Sequence, residues 1–424
     1  MRVFAATFAM ALLTTLSGCA SAPRGVAADV DQLLAEIGEK YGYFGEQSID
    51  WDAVRRRYAA RADGVHSKAE QVALFEVVLD ELHDAHAHLG TNTKHSFRLV
   101  PSGADLWAEL DGARAIVTQV RPGSAAARAG LRAGQEVLAI GGVPVAQAIA
   151  ERLGMSSADP TAHAWALRSL LSGRHDEKRR LRIVTAQGPR DIDLAAPEVP
   201  SGNGPLEHRR LAGGVGYLRI HNSLGDDALV PAFDAALAEL ADCRALVLDL
   251  RDTPSGGNTA IAEALLGRFV REPLPYQKHE LPGVGWQGRS RVWVQYVLPR
   301  GPFTYEKPPA VLVDHWTGSM GEGMAIGVDA MRRGVVVGTP MAGLKGAITS
   351  STLNQSGIRF AIPVERLFHI DGTPRHRWLP PERVDLVGHD GPGEDAILSR
   401  ALEILAAPSQ RESARGTTRF SASG

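Results

Sequence analysis

The chain has 424 residues, more than one hydrophobic core supports, so two or three domains are expected. Apolar residues make up 44% and the formal charge is −2, an ordinary globular composition with no charge excess to point to nucleic acid or to an acidic partner. Residues 1–19 read as a leader rather than as fold: Arg2, an apolar run Val3–Leu16, then small residues. That run is too short to stay as a spanning helix. Besides Cys19, at the end of the leader, the only cysteine is Cys243, so the mature domains have no internal disulfide to form.

Leu16-Ser17-Gly18-Cys19 resembles a bacterial lipobox, which implies cleavage, lipidation of Cys19 and a membrane anchor in the cell envelope. With Ala20 and Ser21 following and no Asp, the resemblance favours the outer membrane facing the periplasm. Residues 20–29 are small and polar, a tether. Residues 30–97 are helical by pattern, with Leu33, Leu34 and Ile37, then Val72, Phe75, Val78, Leu79 and Leu82 on recurring faces. This predicts a small helical domain ending in Leu82-His83-Asp84-Ala85-His86-Ala87-His88-Leu89-Gly90. The three His do not share one helical face and no second ligand cluster stands out, which argues against a metal. A solvated helix end and a His with a catalytic task both stay open.

Residues 98–200 are β-rich. The run VRPGSAAARAGLRAGQEVLAIGGVPV (120–145) resembles the PDZ family, with Gln135 where that family usually has Asp. The resemblance implies that extended C-terminal tails of polypeptides add to a sheet edge here. From residue 201 to 408 the texture is strand, Gly-rich turn, helix. Strands are predicted at Val215–Ile220, Ala245–Leu250, Ala310–Val313, Val335–Val337, Gly357–Val364 and Arg383–Val387; helices at Asp226–Leu240, Thr259–Phe269, Gly321–Met331 and Asp395–Leu405. Residues 271–308 show no period and are expected to form a surface excursion or lid. Residues 409–424 are small and polar, a disordered tail. The whole is a multidomain α/β protein, with a helical N-terminal domain, a PDZ-like domain and an α/β core.

Two turns carry chemistry. Asp249-Leu250-Arg251-Asp252-Thr253-Pro254-Ser255-Gly256-Gly257-Asn258 lacks the G-x-x-x-x-G-K-[ST] of a phosphate loop, so backbone N–H donation to an oxyanion is its better chemical reading. Ser319, in Trp316-Thr317-Gly318-Ser319, sits between a strand and a helix, where N–H groups and the helix dipole stabilise developing negative charge. An N-cap is the plain alternative.

Together the pieces resemble the S41 serine peptidases, the C-terminal processing (tail-specific) and tricorn-like proteases, across residues 30–390. The family's order is a helical domain, a PDZ domain and a core of the ClpP/crotonase type. DLRDTPSGGN, DHWTGSMGEG and GVVVGTPMAGLKGA are similar to its three core motifs. The resemblance implies Ser319 as nucleophile, Glu322 as the motif acid, and the N–H groups of Met320 and of Gly256 or Gly257 as oxyanion donors. No metal and no cofactor are expected. For the base it offers two residues. Processing proteases place a Lys directly after the Gly of T-x-G-K-G; here Leu344 follows Gly343 and Lys345 comes one residue late. The tricorn-like branch uses L-x-D-x-H, which Leu82–His86 matches, so His86 is favoured, with His88 beside it. That branch's orienting Glu falls at His376, leaving Glu382, another acid or no carboxylate for the role. These departures keep a second expectation open: a peptide- or ligand-binding lipoprotein on the same fold with impaired catalysis. A non-peptidase hydrolase is a third.

Overall fold

The computed structural model describes residues 25–47, 49–155, 159–175, 177–197, 203–283, 288–389 and 394–407. The leader with Cys19 and the tail at 409–424 lie outside the described residues. Helix α1 (Val26–Lys40) starts inside the segment read as a tether: Val26, Asp29 and Val30 are buried, so the tether cannot run to residue 29. After α2 (Trp51–Ala59) and α3 (Lys68–Asp80) comes a two-residue strand, β1 (His88–Leu89).

The PDZ-like part holds β2 (Leu106–Asp111), β3 (Arg114–Val120), α4 (Ala125–Arg128), β4 (Glu136–Ile140), β5 (Val143–Pro144), α5 (Val145–Arg152), α6 (Pro160–Ser172), β6 (Arg179–Thr185) and β7 (Gly188–Leu194). Its sheet runs β2-β3-β4-β6-β7, with β5 on β4. One cluster of Val117, Val137, Ile149, Leu167, Leu171 and Leu181 joins sheet and helices. Pro160 and the Asp159 N-cap start α6, a helix inside the stretch expected to be β-rich.

The core follows with β8 (Leu206–Leu211), β9 (Val215–Ile220), α7 (Leu229–Glu239), β10 (Ala245–Asp249), α8 (Thr259–Leu266), β11 (Leu274–Leu281), β12 (Arg291–Val297), β13 (Pro309–Val313), α9 (Met320–Ala330), β14 (Val335–Gly338), β15 (Ala347–Thr352), β16 (Arg359–Phe368), β17 (Glu382–Arg383) and α10 (Ala396–Ala406). Its main sheet is β17-β14-β13-β10-β9-β8, parallel from β17 to β9. The continuous apolar runs of β10 and β13 follow from burial on both faces. Leu246, Leu248, Val311 and Val313 point to the cluster under α7, α8 and α9. Val247, Ala310 and Leu312 point to the cluster under α10.

Two expectations are corrected. Residues 271–308 are not a patternless lid: β11 and β12 pair as an antiparallel hairpin, and β11 joins β16 in a second sheet. The helical N-terminal segment is not a separate domain either. Its Val30, Leu33, Ile37, Phe75 and Val78 share one cluster with Leu353, Phe360 and Ile362, and β1 pairs with β16. A small helical unit buries too little apolar surface alone, so it borrows that of the core. The strand expected at 383–387 is only β17.

Candidate active site

Strands β10, β13 and β14 are parallel neighbours, so the turns leaving their C-terminal ends meet at one sheet edge. These are residues 250–258, 314–319 and 339–346. Thr253 and Thr317 form a parallel bridge, and both hydroxyls donate to Leu250 O, at 2.8 and 3.1 Å. Gly318 N donates to Thr253 O at 3.2 Å. A Cβ on Gly318 would sit 2.6 Å from Pro254 O, and one on Gly321 would sit 2.3 Å from Thr253 Oγ1. The glycines are therefore what lets the two turns touch.

Ser319 has φ 48° and ψ −109°, a sparsely populated region for a residue with a side chain. Holding it costs about 1–3 kcal/mol, supplied by surrounding contacts. Gly256, at φ 61°, lies directly over it: a Cβ there would be 2.9 Å from Ser319 Oγ and 2.7 Å from Met320 N. Met320 opens α9, and neither its N–H nor that of Gly257 has a partner among the described residues. The Gly256 N–H is engaged, donating to Thr253 O at 3.0 Å. Gly256 is thus corrected from oxyanion donor to the residue that leaves space over the serine.

Glu322 is fully buried and accepts three N–H groups: Ser319 at 2.8 Å, Gly343 at 2.9 Å and Leu344 at 3.3 Å. Burial pushes its carboxyl up to about 7, against the pull of the Arg375 charge and of those donors. It ties the serine turn to the turn at 343–346.

That second turn holds His86. The segment from Leu82 to His86 is a buried turn rather than a solvated helix end; His83, Asp84 and His86 are each under 10% exposed. Tyr41 Oη donates to Asp84 Oδ2 at 2.8 Å, and Asp84 Oδ1 accepts the His86 N–H at 2.9 Å. The His86 ring places Nδ1 2.7 Å from Lys345 O. A carbonyl only accepts, so Nδ1 carries the proton and Nε2 the free lone pair, the form a general base needs. Burial first, then the Arg375 charge, pushes His86 down to about 4, so the ring is neutral at physiological pH.

The three histidines diverge. His83 Nε2 meets Leu153 O, and His88 Nδ1 meets Leu89 O. Among the described residues no group of three or more His, Cys, Asp or Glu forms a metal site. Lys345 contributes its carbonyl, while its amine turns to Tyr41 Oη at 3.5 Å and to the Tyr43 ring. Leu344 takes the inner side of the turn, near Gly318. No hydrogen bond joins Ser319 to His86 or to Lys345 among the described residues. No carboxylate meets the His86 ring either: His376 lies 3.3 Å from Glu46, and Glu382 pairs with Arg400.

The PDZ-like part docks against the same edge. Arg121 and Asp252 form a buried ion pair at 2.8 Å. Gln119 Nε2 donates to Asp314 Oδ2 at 2.9 Å, and Trp316 Nε1 to Ala104 O at 2.7 Å. A cavity of about 390 Å3 lies between this part, the end of α3 and the 342–345 turn, lined in part by Asp84, Ala87, Arg168, Gly343 and Lys345. Neither Ser319 nor His86 lines it. The Asp-Leu-Arg of the first motif is structural: Asp249 accepts from Tyr217 Oη and from Arg251, which also grips Asp395 at the start of α10.

Residues 214–381 match the profile of Peptidase family S41, and residues 116–157 match that of the PDZ domain. Among solved structures, a photosystem II D1 C-terminal processing protease is 19% identical, at TM-score 0.55, over 90% of this chain and 97% of that one. Mature CPAF is 15% identical, at TM-score 0.61, over 90% and 95%. A putative peptidase from Parabacteroides merdae is 17% identical, at TM-score 0.57, over 91% and 98%. At such identities the likeness is one of fold.

Proposed function

The chain belongs to peptidase family S41, and from that premise we propose that it is a serine-type endopeptidase acting on unfolded or C-terminal polypeptide segments. The observation that carries the reading is the meeting of three turns around Ser319, with Gly256 above the hydroxyl and the Met320 N–H beside it. Ser319 Oγ attacks the peptide carbonyl. His86 Nε2 takes the proton and returns it to the leaving amine, with substrate binding closing the gap between ring and hydroxyl. The Met320 and Gly257 N–H groups hold the oxyanion; losing one such donor costs roughly 100–1000-fold. The PDZ domain presents the substrate's tail. Cys19, read from the sequence, anchors the enzyme in the envelope.

A fluorophosphonate probe tests this. Wild type and Lys345→Ala should label, since alanine keeps the carbonyl that holds His86. Ser319→Ala and His86→Ala should not. Labelling lost in Lys345→Ala alone would make the enzyme a Ser–Lys protease. No labelling in wild type would move the reading to a binding protein on this fold.

A further inference from the structure

We infer that Arg375, which neither the motifs nor the comparisons single out, is the positioning residue that fixes the general base, by clamping the backbone turn whose carbonyl replaces the missing carboxylate partner of His86. The inference rests on the peptidase reading above. Arg375 is 3% exposed and pairs with no carboxylate among the described residues. Its Nη2 donates to Leu344 O at 3.0 Å and to Gly346 O at 2.8 Å, on either side of Lys345. Lys345 O is the acceptor of His86 Nδ1. Glu322 holds the same turn from the serine side, through Gly343 N and Leu344 N.

The turn needs such holding. Residues 341–345 belong to no strand or helix, and Gly343 and Gly346 have φ 71° and 51°. Left alone, this backbone would sample many conformations, and a carbonyl that wanders no longer fixes a ring or its tautomer. A carboxylate orienter would favour the protonated ring through its charge. Here the carbonyl fixes the ring's orientation, while the buried guanidinium behind it disfavours protonation. The groups facing His86 fit this account: Arg375 and His88 disfavour its charged form, whereas Asp84 and the Lys345 carbonyl favour it. Glu322 lies across the turn and feels the same guanidinium.

The test compares Arg375→Met and Arg375→Lys in the purified protein. Fluorophosphonate labelling is resolved into a maximal rate and a half-saturating concentration, and the His86 ring is titrated by NMR, assigned with His86→Gln. Arg375→Met should lower the maximal rate about 100-fold, as a displacement near 1 Å does, with half-saturation within about threefold. The His86 midpoint should rise by about one pH unit. Arg375→Lys, which keeps a charged donor, should recover the midpoint and most of the rate. A folded Arg375→Met whose maximal rate stays within about threefold of wild type would overturn the inference, whatever its midpoint. Should Arg375→Met fail to fold, Arg375→Gln against Arg375→Lys makes the same contrast of neutral and charged donors. Wild type that takes no probe would sink the peptidase reading alone, because the NMR titration still decides whether Arg375 governs His86.

Discussion

Gly256→Ala isolates what the glycine over Ser319 does. An added Cβ would stand 2.3 Å from Ser319 Cβ, 2.9 Å from Ser319 Oγ and 2.7 Å from Met320 N. Reaching ordinary contact at 3.4 Å requires a relative shift of 3.4 − 2.3 = 1.1 Å between the two turns. A misplacement of about 1 Å at reacting groups costs roughly 100-fold in rate. The left-handed φ adds a separate backbone cost of about 1–2 kcal/mol. Gly141 separates the two effects, because its φ is 62° and nothing lies within 4 Å of its Cβ position. Gly141→Ala should therefore lose about 1–2 kcal/mol of stability and label at the wild-type rate. Gly256→Ala should remain folded by near-ultraviolet circular dichroism yet label about 100-fold more slowly or worse. Labelling of folded Gly256→Ala within about threefold of wild type would refute the assignment of this space to the reaction.

Glu322 should move activity and stability in opposite directions. Its ionised form accepts the three N–H groups through charge-assisted hydrogen bonds that protonation weakens, so labelling should fall as pH drops through about 7. The folded value lies above the usual 4.5, so the folded chain holds the proton more tightly. The group's contribution to stability is therefore fully present below about 4.5 and lost as pH rises to about 7. Urea unfolding of wild type against Glu322→Gln across that window reads the second effect; a difference that does not vary with pH would contradict it. Arg121→Ala takes from Asp252, at the joint between PDZ domain and core, its 2.8 Å partner but leaves it Arg219 at 3.8 Å and His221 at 3.5 Å, so it should cost less than the about 3–5 kcal/mol of a fully stranded charge, measured by denaturant midpoint. Tyr41→Phe removes the donor to Asp84 and should cost about 1.5–3 kcal/mol, and the loosened His86 turn should label more slowly at unchanged probe saturation. A Tyr41→Phe protein as stable as wild type would show that Asp84 finds another donor.

The main sheet was legible because its signal is local. Continuous apolar runs bounded by Gly-rich turns mark strands buried on both faces, and β9, β10, β13 and β14 fall where those runs lie. The hairpin of β11 and β12 was hidden because its outer face carries apolar residues too: Val292, Val294 and Tyr296 are half exposed, so the polar alternation that marks a one-sided strand is missing.

Sequence alone determined the order of the parts, the serine turn and the pair of residues competing as base, since each is a spacing within a short stretch. Only the tertiary structure decided what those residues touch. It engaged the Gly256 N–H with Thr253, turned the Lys345 amine toward Tyr41, and set the Lys345 carbonyl against His86, 259 positions away in the chain. A one-residue slip at a turn exchanges side chain for backbone as the group facing the site. Which of the two results depends on Arg375 and Glu322, which reach the turn from other elements through hydrogen bonds to main-chain atoms that every residue carries, so the sequence around Lys345 holds no trace of them.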